Sequence, residues 1–232
     1  MRLKVAAFTA LAACFWLPHV SAGVNIGATR VVYQSKEKEA NLAVANSGED
    51  GVPYLVQSWV SDFTHPEQSA DAFIITPPLF RLDAKGQNIL RIIATDTQAL
   101  PKDKESLFLL NVKAIPAKSK EQQNQNVLQI ALKTSIKLFY RPDGLQGSLT
   151  DAVNTLEWRA QGGKLSVHNP SGFNVVVSEL LINNKAAKDI PEVLAPGSTV
   201  NTAIALNSSD SLVLSYINEY GSTVQASPAT LR

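Results

Sequence analysis

Apolar residues in this chain recur at every second position in short runs, and no long segment repeats at 3.6. In "NVLQIALKTSIKLFYRP" (126–142), Leu128, Ile130, Leu132, Ile136 and Leu138 all fall on alternate positions. Alternation of this kind gives a strand one apolar face. A chain built from such runs can satisfy its backbone only by sheet pairing, which restricts the fold to all-β architectures.

The runs are closely spaced. "VNIGATRVVY", "EANLAVAN", "PYLVQSWVSDF", "AFIITPPLFRL", "QNILRIIA" and "ESLFLLNVKAIP" precede the strand above. Turn-forming segments such as "NSGEDG", "DAKGQ" and "LPKDK" separate them. This predicts a β-sandwich of immunoglobulin type over residues 23–142. "RPDGLQGS" (141–148) breaks any strand, and residues 143–148 read as a linker. Six further runs, from "TLEWRA" to "TVQASPATL", predict a second, smaller sandwich over 149–232.

Residues 1–22 read as a secretory signal. "MRLK" is basic, and "VAAFTALAACFWL" is apolar but too short to span a bilayer. Val20 and Ala22 place small residues before a cut. "LAAC" (11–14) offers a lipoprotein-like alternative at Cys14, with the cut after Ala22 as the expectation. That cut removes Cys14, the single cysteine, so thiolate catalysis, disulfides and cysteine zinc sites are not expected. It also removes Arg2 and Lys4, lowering Lys+Arg from 21 to 19 against 20 Asp+Glu, a net charge of −1. Such a balance gives no basic surface for nucleic acid.

Catalytic signals are sparse. His65 and His168 fall in different predicted domains, in a loop and a turn. No nucleophile elbow, phosphate loop or dinucleotide fingerprint occurs. The expectation is a protein that is not an enzyme and uses neither cofactor nor metal. Trp59 and Trp158 lie in strand-like runs and are expected in the cores, against a carbohydrate-binding surface.

"LPKDKESLFLLNVKAIPA" (100–117), followed by 126–142, resembles the periplasmic pilus-assembly chaperones of chaperone–usher systems, the PapD-like family. "ATRVVY" (28–33), "PYLVQSWV" (53–60), "TPPLFRL" (76–82) and "LSYINEYG" (214–221) extend the likeness over nearly the whole mature chain, in the family's order. Leu109 departs from the family pattern, as a packing variation. The resemblance implies two immunoglobulin-like sandwiches set at an angle around a cleft. It implies a periplasmic protein without stable membrane insertion, with pilin subunits and an outer-membrane usher as partners.

Residue by residue, the resemblance implies four groups. Leu128, Ile130 and Leu132 would belong to a strand donated to an incomplete pilin. From alternation alone, they fit the protein's own core equally well. Arg30 and Lys137 would anchor the pilin's C-terminal carboxylate; from composition alone they read as solvated charges. Lys137 is out of phase with Leu132, so the two are expected on different faces. Glu105, Arg141 and Glu219 would form an interdomain ion network, with Glu219 standing where the family usually has aspartate. Pro53, Leu55, Pro78 and Leu79 would form a patch for the usher, near a cis Thr76–Pro77 bond. The loop before the donor strand is of moderate length, as in the family's short-loop branch. A donor strand exposed at an edge also invites a self-capping dimer.

Overall fold

The computed structural model describes residues 23–48, 51–118 and 128–231. The expected signal, Cys14 and most of the loop before the expected donor strand lie outside the described residues.

The first sandwich has a four-stranded and a five-stranded sheet. The smaller runs β1 (Val24–Ile26), β3 (Ala40–Asn46), β7 (Gln87–Ala94) and β5 (Phe73–Thr76) in spatial order. The larger runs β2 (Arg30–Gln34), β9 (Leu132–Arg141), β8 (Ser106–Pro116), β4 (Tyr54–Asp62) and β6 (Leu79–Leu82). Alternate residues Phe108, Leu110 and Val112 of β8 and Ile136, Leu138 and Tyr140 of β9 turn inward. They meet Leu42, Val44, Leu90 and Ile92 of the smaller sheet in one core. Phe73 sits at its aromatic end, edge-on to Tyr33 and Phe108 at centroid distances of 5.6 and 5.2 Å.

Two apolar runs that read as single strands each divide between the sheets. "VNIGATRVVY" becomes β1, which pairs with β3, and β2, which pairs in parallel with β9. The crossing starts at Gly27, whose N–H bonds Ala43 O at 2.9 Å. A Cβ at Gly27 would lie 3.2 Å from that of Ala43, so the close approach suits glycine. "AFIITPPLFRL" becomes β5 and β6, divided at the cis Thr76–Pro77 bond.

These crossings decide what borders β9. β8 pairs with it from Ala114↔Leu132 to Ser106↔Tyr140. β2 pairs with it only from Arg30↔Lys137 onward. Among the described residues, 132–136 of β9 therefore have a neighbour on one side and an open backbone edge on the other. The predicted strand over 126–142 is longer than the observed one. Residues 128–131 precede β9, and its ladder with β8 stops at Ala114↔Leu132, two residues short of the end of β8 at Pro116.

The second sandwich opens with a short helix that the alternation did not suggest. α1 (Leu149–Asn154) is held by a capping box in which Ser148 and Asp151 bond each other's backbone N–H. One sheet orders β10 (Glu157–Gln161), β11 (Lys164–His168) and β15 (Thr199–Ala205). The other orders β13 (Lys185–Ala186), β12 (Val175–Ile182), β16 (Leu212–Ile217) and β17 (Thr223–Gln225), with β14 (Val193–Leu194) also on β12. Leu149, Trp158, Leu165, Leu180, Leu194 and Leu214 share its core. Trp158 is buried as expected, but Trp59 is half-buried on the outer face of β4, with the Lys133 ammonium 5.6 Å from its ring.

The two sandwiches meet on the outer face of the larger sheet. There the outward residues of β2 and β9, Arg30, Phe139 and Arg141, face Asn174, Ile217 and Glu219 of the second. The chain is thus an all-β protein of two immunoglobulin-like sandwiches with a cleft between them.

Candidate functional site

Three features converge on β9, and a fourth lies apart from it. The first is its apolar face. Leu138 is fully buried, whereas Leu132, Ile130 and Leu128 are 59%, 62% and 89% exposed. The stripe that fills the core continues past the end of the sandwich into solvent. Ile130 and Leu132 line a 120 Å³ cavity with Val24, Ile26 and Tyr54, between β1 and the open edge of β9.

The second feature stands where that open edge ends. Arg30 and Lys137 are direct partners in the parallel register of β2 and β9. Their side chains share the outer face, opposite in phase to Leu132. Arg30 is buried; its Nη1 donates to Ile217 O at 3.2 Å, and its Nε has no hydrogen-bond partner among the described residues. Desolvation pulls its pKa below the ordinary value. A buried guanidinium bonded to a neutral carbonyl favours an anion. Lys137 lies beside it, ion-paired with Glu192 of the second domain.

The third feature joins the domains. Arg141 Nε donates to Glu105 Oε1 at 2.8 Å, and Arg141 Nη1 to Glu219. The other Glu105 oxygen accepts from Asn174 N at 2.8 Å. The Arg141 guanidinium lies 4.9 Å from the Phe173 ring centre. Glu105 is buried, and desolvation raises its pKa against the opposing pull of Asn174 and Arg141. The extra methylene of Glu219 does not prevent its contact with Arg141.

The fourth feature is separate from the cleft. β6 is an edge strand, and Gln57↔Leu79 and Leu55↔Arg81 are paired across it. Leu55 and Leu79 are therefore diagonal neighbours on the outer face. Both are exposed, as is Pro78, while Pro53 is half-buried. Ser58 N–H fixes Pro78 by a 2.8 Å bond to its carbonyl.

Residues 23–146 match the family described as "Pili and flagellar-assembly chaperone, PapD N-terminal domain". Residues 151–228 match "Pili assembly chaperone PapD, C-terminal domain". The chain belongs to the PapD-like pilus-assembly chaperone family. Among curated members, "Chaperone protein FocC" of Escherichia coli is 39% identical over 212 residues, covering 91% of each chain. The crystal structure of the E. coli chaperone DraB matches with a TM-score of 0.76 at 34% identity, over 90% of this chain and 96% of that one. A solved complex of the Salmonella enterica SafA pilin with the SafB chaperone matches with a TM-score of 0.79 at 29% identity, over 93% and 99% of the respective chains.

Within this PapD-like framework, sequence reasoning missed Glu192, Asn174, Phe173 and the Ile217 carbonyl. Glu192 lies in "DIPEVLAPGS", which carries no periodic signal. The others contribute through backbone or ring contacts that depend on how the two domains meet.

Proposed function

We propose that this protein is a periplasmic chaperone that binds, folds and caps pilin subunits by donor-strand complementation and delivers them to an outer-membrane usher for fimbrial assembly. The observation that carries this reading is the open edge of β9, with exposed Leu132 on it and Leu128 and Ile130 leading into it. An incoming strand finds unpaired N–H and C=O groups and an apolar stripe in register. Burying each of the three side chains contributes roughly 1.5–3 kcal/mol before association costs.

Arg30 and Lys137 hold the client's C-terminal carboxylate, fixing its register from one end. Arg141, Glu105 and Glu219 set the angle between the domains. Pro53, Leu55, Pro78 and Leu79 form the usher-facing patch. Residues 1–22 are a signal peptide, 23–142 the client-binding domain, 143–148 the linker and 149–232 the second domain. The chemistry is non-enzymatic: pilin folding on the donated strand, then exchange for a better-fitting strand, drives the cycle. Without a client, a second copy covers the same edge in a dimer.

The test is a periplasmic pull-down of the tagged mature protein with co-expressed candidate pilins, comparing wild type with Lys137→Ala. Wild type should retain a stoichiometric β-rich subunit that the variant loses. Equal retention by both would overturn the anchoring role; capture of no pilin by either form would redirect the reading toward a binding module.

A further inference from the structure

The Lys137 ammonium already holds a carboxylate. Its partner, Glu192, immediately precedes β14, and Glu192 O accepts from Val177 N at 2.9 Å. That bond pins the Glu192 backbone beside β12. The Glu192 side chain is 65% exposed and that of Lys137 only 15%. The carboxylate therefore sits on the solvent side of the pair and can swing away without being stranded in the protein.

The rest of the cleft makes this contact distinctive. It holds three cations, Arg30, Lys137 and Arg141, and three carboxylates, Glu105, Glu192 and Glu219. Arg141 engages both Glu105 and Glu219, which belong to the joint between domains. Among the described residues, Glu192 is the carboxylate that engages a residue of the proposed client anchor. Arg30, its neighbour in register, donates to a neutral carbonyl.

We infer that Glu192 is a built-in competitor that occupies Lys137 in the client-free protein and is displaced by the client's C-terminal carboxylate. The inference rests on the anchoring role proposed for Arg30 and Lys137. Displacement exchanges one carboxylate for another at the same ammonium, so the local charge balance is kept. A lone small anion gains little from that exchange. A client that also pairs along the open edge of β9 gains the strand contacts as well. Glu192 thereby sets a threshold that favours carboxylates borne on a pairing strand.

The probe is a labelled synthetic peptide of alternating apolar and polar residues with a free C-terminal carboxylate, beside its C-terminally amidated twin. Binding to the mature protein is read by fluorescence anisotropy for wild type, Glu192→Gln, Glu192→Ala, Lys137→Ala and the Lys137→Ala/Glu192→Gln double variant. Both Glu192 variants should bind the free-carboxylate peptide about 2- to 5-fold more tightly than wild type, the range of a partly exposed ion pair. The amidated twin should bind all of them alike, and the gain should vanish in the double variant. A carboxylate preference that exists in wild type but is unchanged in both Glu192 variants would overturn the competitor role and leave the anchor standing. Peptides bound equally, or not at all, would remove the anchor and the competitor together.

Discussion

Leu132 and Leu138 project from the same face of β9, yet Leu138 is fully buried and Leu132 is 59% exposed. One face of one strand therefore serves two environments. Leu138→Ala should cost about 2–5 kcal/mol of stability in chemical denaturation. Leu132→Ser should change it by only about 0.5 kcal/mol while abolishing client capture. A large loss of stability in Leu132→Ser would place that side chain in the protein's own core.

Arg30→Ala should leave the fold intact and remove client protection. The substitution gives up one bond to Ile217 O and deletes a buried Nε that has no hydrogen-bond partner among the described residues. The net effect on stability should stay within about 1 kcal/mol. Calorimetry of the purified variant and proteolysis of a co-expressed pilin measure the two effects separately. Continued protection of the pilin would refute the anchoring role.

Arg141→Ala should be far more damaging, at about 3–5 kcal/mol, because it leaves the Glu105 carboxylate buried without its counter-charge. Glu219→Ala should cost at most about 1 kcal/mol, since the Glu219 side chain is 35% exposed. Urea denaturation of the two variants should rank them in that order.

Glu105 also predicts a pH dependence. Burial raises its folded pKa above the ordinary carboxyl value of 4.5, so the folded state favours the protonated form. Its contribution to stability is complete below pH 4.5 and is lost as pH rises through the folded value. Glu105→Gln lacks this titration. The difference in thermal midpoint between wild type and Glu105→Gln should therefore narrow as pH rises through that window. A difference that widens would mean that Arg141 outweighs desolvation at this site.

The double variant Leu55→Ser/Leu79→Ser should fold normally and retain client capture, because both side chains are exposed on β4 and the edge strand β6, which β8 separates from β9. Recovery of usher-bound complexes from membranes should fall to background. Unchanged recovery would assign usher contact elsewhere.

Much of this architecture was legible locally. Period-two alternation reports which residues share a strand face, and it identified the strands around both cores. It could not report which sheet a strand joins. "VNIGATRVVY" and "AFIITPPLFRL" each cross between sheets at Gly27 and Pro77, and long-range pairing decides that. Nor does alternation separate Leu132 from Leu138, since exposure depends on where the neighbouring strands stop. The α1 helix left only its Ser148 and Asp151 cap as a signal. Glu192 left none, because its contact with Lys137 depends on the placement of the second domain.

The rigidity of β9 turns it into a gauge. Lys137 lies five positions after Leu132, a span of roughly 17 Å in an extended strand. A tail held by its last carboxylate at Lys137 must therefore present its apolar side chains at distances counted backward from its own end. Removing one terminal residue from a client would turn its side chains to the opposite face. On the proposed anchoring, the protein reads tail length and tail pattern in a single act of docking.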